Sequence, residues 1–499
     1  MYLCKKIESM GDSDLFLQMK DVRPRIYGME FNSIINWDIK RSEQWAVVGL
    51  NGAGKTFLAD FICGRYAVRD GEIKYGFWSE EKARLSGKHY ATELIKKVSF
   101  ESAYLLADYK NMYYQQRFHA MENETTPTVR DLVASIPLEE EEKKALSLKL
   151  NLEPLLDKHI IMLSSGELRR VLIANVLMQK PELLIFDNPF IGLDKEMMGE
   201  LNLFFSELAK FQQMVFLVPA LNEIPECVTH VLPVRDLKYG PSMTKSEFLA
   251  SSKDCLVPQT EYSDDIMLPE SVVEYKQYDS VVRLENINLS YKDRVVFDRL
   301  NWDIKKGEKW ALLGPNGAGK STLLSLMVGD NPKAYSQKIT IFDKRRGTGE
   351  SIWDIKRPIG YISSEMHLFF NENQPCSRIV GSGFFDTIGL FRKCNEEQER
   401  LCNEWMALLG ISYLADKSFL KISGGEQRLV LFARTMVKNP DLLILDEPLH
   451  GLDIPHKKRA RQVIEKFCEQ PGKSLIYVTH RREEIPSAVD KFFELKKLG

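Results

Sequence analysis

The sequence predicts an α/β fold built twice along one chain, each copy a parallel sheet covered by helices. Three observations predict it. A glycine-rich stretch recurs, GLNGAGKT at 49–56 and GPNGAGKS at 314–321. A fully apolar run ending in aspartate recurs, LLIFDNP at 183–189 and LLILDEP at 442–448. Each copy places an apolar strand before the glycine loop and a helical pattern after it, an order that belongs to layered α/β folds.

The repeat extends further than these motifs. LSSGE (163–167) is answered by ISGGE (422–426), and GLD at 192–194 by GLD at 451–453. The offset is 265 at the first motif and 259 at the other three. Four ordered matches imply duplication of one unit. The expected organisation is a first domain over 1–240, a linker over 241–280 and a second domain over 281–499. From Asp254 to Tyr275 the linker carries six acidic residues and no Lys or Arg, as a solvated connection does.

Local pattern supports each element. Trp45–Val48 and Trp310–Leu313 are short apolar runs, hence strands. Phe57–Cys63 and Thr322–Met327 continue as helices. Leu183–Phe186 and Leu442–Leu445 are apolar throughout, which suits parallel strands buried on both faces. Residues 167–179 and 426–438 have the spacing of amphipathic helices.

G-x-x-x-x-G-K-[ST] between strand and helix is a phosphate cradle, the P-loop of nucleotide hydrolases. The glycines (Gly49, Gly52 and Gly54; Gly314, Gly317 and Gly319) let backbone N–H groups, with Asn51 and Asn316 between them, face a phosphate chain. The helix N-terminus adds its positive end. Lys55 and Lys320 are expected to reach the β- and γ-phosphates of ATP. Thr56 and Ser321 place a hydroxyl on Mg²⁺, Thr322 follows in the second copy, and Asp187 and Asp446 place a carboxylate beside the same ion.

With 44% hydrophobic and 28% charged residues the chain can build sizeable cores. A net charge of −2 gives no global attraction to nucleic acid. No run of about 18 apolar residues is present, and the start MYLCKKIESMGDSDLF lacks a signal-peptide core. The expected location is the cytoplasm, or peripheral at the inner face of the plasma membrane. Eight scattered cysteines form no C-x-x-C pair, so reduced thiols are expected rather than a metal or disulfide framework.

Taken together the motifs resemble ABC ATPases, once per half and over nearly the whole chain. The tandem arrangement, LSSGE and the short linker are most similar to the ModF-type ATP-binding proteins, associated with molybdate transport or photorepair. The resemblance implies a helical subdomain on each parallel-sheet core and an intramolecular cassette dimer holding ATP. One site would join Lys320, Ser321, Asp446, Glu447 and His480 to the signature residues Ser164, Ser165 and Gly166. The other would join Lys55, Thr56, Asp187 and Asn188 to Ser423, Gly424 and Gly425. It also implies Glu447 as the group that polarises water and His480 as a γ-phosphate contact. Tyr291, and less closely Tyr27, stands where an aromatic stacks on adenine. The glutamine of the transport-sensing loop is absent; Glu101 and Glu365 are nearest, either water-mediated Mg²⁺ contacts or solvated loop acids.

The halves are not equivalent. Asn188 stands where the second half has Glu447, and an amide cannot take a proton as a carboxylate does. Pro219 or Ala220 stands where the second half has His480. His230 lies too late in the sequence to replace it and is expected to be structural.

Two functions compete. The chain is the ATPase component of a transporter, with separate membrane permease subunits and an anion such as molybdate as cargo. Alternatively it is a soluble factor on ribosomes or nucleic acid, similar to ABC-F proteins, or a regulatory ATP switch. The short acidic linker disfavours tight nucleic-acid binding. Zinc-binding cysteine sets and long coiled-coil insertions, expected of DNA-repair relatives, are missing, and Cys4 stands alone where ribosome-recycling relatives carry a cluster.

Overall fold

A computed structural model describes residues 14–497 apart from 26–32, 80, 82–88, 100–126, 137, 161–162, 164, 192, 194, 252–255, 257–265, 271–277, 292–293, 316, 364–365, 371–372 and 391. The described residues separate into two compact units, with the change between residues 260 and 261.

The first unit opens with β1 (Leu15–Arg25) and β2 (Ile35–Lys40), followed by β3 (Trp45–Val48), α1 (Lys55–Ile62), β4 (Ala67–Tyr75) and β5 (Ile95–Ser99). Then come α2 (Val129–Ala134), α3 (Glu140–Lys149), α4 (Ser165–Leu177), β6 (Leu183–Asp187), α5 (Lys195–Leu208), β7 (Gln213–Val218) and β8 (His230–Arg235). It closes with β9 (Lys238–Tyr239), β10 (Met243–Thr244) and α6 (Lys245–Ala250). β1 pairs antiparallel with β2 and β4 in a small sheet. The main sheet runs β10-β8-β3-β7-β6-β5, parallel from β8 to β5.

The second unit repeats this plan. β11 (Ser280–Tyr291), β12 (Arg294–Lys305), β14 (Lys338–Ile341) and β15 (Lys344–Arg345) form its antiparallel sheet, in the order β12-β11-β14-β15. The parallel sheet is β16-β17-β18-β13-β19, from β13 (Lys309–Leu313), β16 (Ile359–Ile362), β17 (Leu442–Asp446), β18 (Ser474–Val478) and β19 (Lys491–Glu494). Its helices are α7 (Lys320–Val328), α8 (Ile352–Lys356), α9 (Cys376–Gly381), α10 (Glu396–Leu408), α11 (Gly424–Met436) and α12 (Ile454–Glu469).

Alternation along a buried strand explains why the apolar runs need no polar residue. Leu443 and Leu445 enter one core with Val380, Trp405, Phe432 and Tyr477. Leu442 and Ile444 enter another with Trp302, Leu323, Leu326 and Val478. Helices thus cover one face and the antiparallel sheet with α7 covers the other. In the first unit Leu183 and Ile185 pack with Trp37, Trp45 and Phe61. Phe186 turns the opposite way, onto Phe205 and Phe216 at centroid distances of 5.0 and 5.2 Å.

The segment expected as linker from 241 onward begins inside the first unit. Met243 and Thr244 pair with Val231 and His230. Thr244 then caps α6: its hydroxyl accepts the Glu247 N–H, and Glu247 returns a carboxylate oxygen to the Thr244 N–H at 2.8 Å. At the other boundary Ser280 is already strand. No helix among the described residues is long and apolar enough to cross a membrane.

Candidate functional site

Both glycine loops follow a buried strand and lead into a helix at the lysine. Gly54 (φ 108°) and Gly319 (φ 94°) are the left-handed residues before α1 and α7, and neither helix has a side-chain cap. Each helix thus begins, with the positive end of its dipole, directly at its glycine loop, the arrangement of an anion site. A Cβ on Gly49 would stand 2.1 Å from the Val234 carbonyl oxygen, and one on Gly319 2.8 Å from Val296, so side chains are excluded there. Lys55 Nζ donates to the carbonyls of Gly49 and Leu50 at 2.7 and 2.8 Å. Lys320 Nζ does the same to Gly314 and Pro315 at 2.6 and 3.1 Å. Each lysine spans its own loop where phosphate oxygens would take over those bonds. Gly52 and Gly317 are also left-handed, at φ 75° and 78°; Asn51 lies in the loop before α1 and Thr322 in the first turn of α7. Asn316 lies outside the described residues.

The strand-end carboxylates meet the loop hydroxyls. Thr56 Oγ1 donates to Asp187 Oδ2 at 3.1 Å, and Ser321 Oγ to Asp446 Oδ2 at 3.4 Å. A hydroxyl beside a carboxylate is a hard-oxygen donor set that fits Mg²⁺. Burial raises Asp187 above the usual carboxylate range against the pull of Lys97, Lys55 and the Thr56 hydrogen bond. Such a carboxylate gains from a cation.

The two units then diverge. Glu447 sits in the left-handed region at φ 53°, and Asn188 at φ 48°. His480 Nδ1 and Glu447 Oε1 are 2.7 Å apart; ionised Glu447 can only accept, so Nδ1 carries the proton. Burial alone would raise the Glu447 carboxyl. The His480 hydrogen bond and the charges of His480, Lys320 and Arg428 outweigh burial and hold it below the ordinary glutamate value. In the first unit Asn188 Oδ1 is buried with no hydrogen-bond partner among the described residues. Register fixes the counterpart of His480: Asp446 pairs with Val478 and Asp187 with Leu217, two residues before His480 and Pro219.

The signature of the second unit starts α11. Ser423 caps it, accepting the Glu426 N–H, while its own N–H and hydroxyl donate to Glu426 Oε2 at 2.8 and 2.6 Å. Gly424 and Gly425 form the first turn. α4 begins at Ser165, and Gly166 has room for a Cβ at 3.5 Å from Met197. Ser164, Tyr27, Glu101 and Glu365 lie outside the described residues. Tyr291 ends β11, receives the Asn331 amide on its hydroxyl at 2.9 Å, and has Lys333 Nζ 4.4 Å from its ring centroid.

His230 begins β8 opposite Trp45, at the end of the sheet away from the P-loop, and stacks on that indole. Lys491 holds the same register opposite Trp310. Both side chains meet a glutamate: Glu43 lies 3.6 Å from His230, and Glu308 is hydrogen-bonded by Lys491. This is a structural position. Sequence reasoning missed two arginines of the signature helices. Arg428 donates to the His450 carbonyl at 2.7 Å, and Arg169 to the carbonyls of Pro189 and Ile191. Each ties its helix to the turn after its strand-end Asp. The recurrence of E-x-R in SGELRR and GGEQRL was the available signal.

The profile of the ABC transporter family matches residues 33–191 and 297–450. The ABC transporter ATP-binding protein ModF of Escherichia coli (strain K12) is 33% identical over 462 residues, 90% of this chain and 91% of that one. An uncharacterized ABC transporter ATP-binding protein of Schizosaccharomyces pombe is 28% identical, covering 92% of this chain and 93% of its own. Among solved structures, a model of ribosome-bound archaeal Pelota and ABCE1 aligns with a TM-score of 0.54 at 21% identity, covering 95% of this chain and 76% of that one; the likeness is one of fold.

Proposed function

Because the chain belongs to the ABC transporter family, we propose that this tandem ATPase is the energy-coupling component of a transporter. Its permease would be a separate chain, and its cargo an oxyanion of the molybdate type. The observation that carries the hydrolytic part is the second unit's set: Lys320 across its loop, Ser321 against Asp446, and Glu447 held by His480.

In this reading the P-loop amides and Lys320 take the β- and γ-phosphates. Ser321 and Asp446, like Thr56 and Asp187, would hold Mg²⁺, which would neutralise phosphate charge. Glu447 Oε2 accepts the proton of the attacking water, and the Oε1 bond to His480 keeps the carboxylate aimed. The first unit keeps Lys55, Thr56 and Asp187 and lacks the base, so it binds ATP and turns it over slowly. The signature residues Ser423, Gly424 and Gly425, with Ser164, Ser165 and Gly166, complete the ATP sites when ATP is bound.

Co-purification from native membranes and lysate tests the transport role. A membrane permease recovered with the protein supports it. Stable co-sedimentation with ribosomes at physiological salt would replace it by the soluble-factor alternative.

A further inference from the structure

The turn after β17 carries a group that neither the motifs nor the proposed mechanism uses. His450 is buried, with 7% of its side chain exposed, and its Nδ1 lies 3.8 Å from Glu447 Oε2. The other oxygen of that carboxylate belongs to His480 at 2.7 Å. Glu447 is therefore flanked by two imidazoles, one per oxygen, whose ring centroids are 6.4 Å apart at 80°. Burial first, then the positive charges of Arg428, Arg481, His480 and Lys457, holds His450 well below the ordinary imidazole value, so it stays neutral.

The first unit supplies an internal control. The same turn is built there: the Ile191 N–H donates to the Asn188 carbonyl at 3.2 Å, as the His450 N–H does to Glu447 at 3.2 Å. Arg169 holds the Ile191 carbonyl as Arg428 holds that of His450. The backbone frame thus survives without an imidazole. Apart from the apolar exchange of Leu449 for Phe190, three side chains around the base differ: Glu447 against Asn188, His480 against Pro219, and His450 against Ile191. The third position changes together with the two that the chemistry uses.

We propose that His450 is a positioning residue for hydrolysis, setting the orientation of the Glu447 carboxylate by packing against Oε2 while His480 holds Oε1. The inference rests on Glu447 acting as the base. A helical or sheet packing role does not require an imidazole, since isoleucine fills the equivalent place in the first unit, 8% exposed.

The test is steady-state ATPase and ATP binding on the full chain carrying His450→Ile, His450→Gln, Glu447→Gln, or Glu447→Gln with His450→Ile. His450→Ile should lower kcat roughly ten- to a hundredfold, the range for a misaimed catalytic group, with KM for ATP little changed. His450→Gln, whose amide reaches toward the same oxygen, should restore most of that loss. In the Glu447→Gln background His450→Ile should add nothing. If His450→Ile stays within about twofold of wild type while Glu447→Gln is inactive, or if the glutamine variant fails as badly as isoleucine, the positioning role is wrong and the base assignment stands. If Glu447→Gln itself keeps the wild-type rate, the base assignment falls instead.

Discussion

Replacing Glu447 by glutamine isolates the chemistry from the architecture. The amide keeps the side chain's size, and its oxygen can still accept the His480 N–H now 2.7 Å away, so the turn and the P-loop should hold. What is lost is proton acceptance. General-base catalysis is worth about 10²–10⁴ in rate, or about 3–5 kcal/mol of barrier at 1.36 kcal/mol per decade. The first unit already lives with that handicap through Asn188, so the variant has two baseless sites and should fall to about 1% of wild type or less. Asn188→Glu should not recover a second active site, because Pro219 and Ile191 leave the new carboxylate without either imidazole neighbour. Steady-state phosphate release on purified variants, with fluorescent ATP binding as the folding control, reads both. A Glu447→Gln protein that binds ATP and keeps about half the wild-type rate would mean that the two sites share the work, and the asymmetric mechanism would have to be dropped.

Asp187→Asn should raise the melting temperature of the nucleotide-free protein and weaken ATP–Mg²⁺ binding. Burial lifts the folded pKa of Asp187 above its unfolded value; for an acid raised in this way the native state loses stability as pH rises from the unfolded toward the folded pKa. The gain on neutralisation should therefore be larger at pH 7 than at pH 4, and equal gains at both would refute this origin. Lys473→Met should destabilise the second unit by about 2 kcal/mol. Lys473 Nζ donates to the Asn439 and Pro440 carbonyls and to Asp441 Oδ1 at 3.0, 2.9 and 3.3 Å, and urea denaturation showing no loss would contradict that assignment.

The parallel sheets and P-loops were legible because periodicity and glycine spacing report directly on backbone requirements. Leu442–Leu445 is apolar at every position since both faces are covered, and Gly54 and Gly319 stand where φ is positive. Elements set by a few hydrogen bonds were harder to read. Thr244 and Glu247 form a capping box in the string TKSE, yet a Gly-Pro just before it and the acidic stretch after it read as linker. Choosing between Pro219 and Ala220 needed strand register, which no residue pattern carries. His450 went unnoticed because its meaning lies in a 3.8 Å approach to Glu447, and the turn that makes the approach depends on a left-handed glutamate that local propensity would not place there.

That left-handed residue bears on how a duplicated pair of domains can drift apart. Asparagine visits the region several-fold more readily than most residues, whereas a longer side chain there is strained by about 1–2 kcal/mol. Asn188 therefore holds its left-handed turn with less strain than Glu447 holds its own. A glutamate placed at 188 alone would bring that strain without the activity, since Pro219 and Ile191 stand where His480 and His450 flank Glu447. On the proposed mechanism one substitution is enough to take the base from a unit, whereas installing the second unit's set in the first would take three, so an unequal pair of sites is easier to reach than to undo.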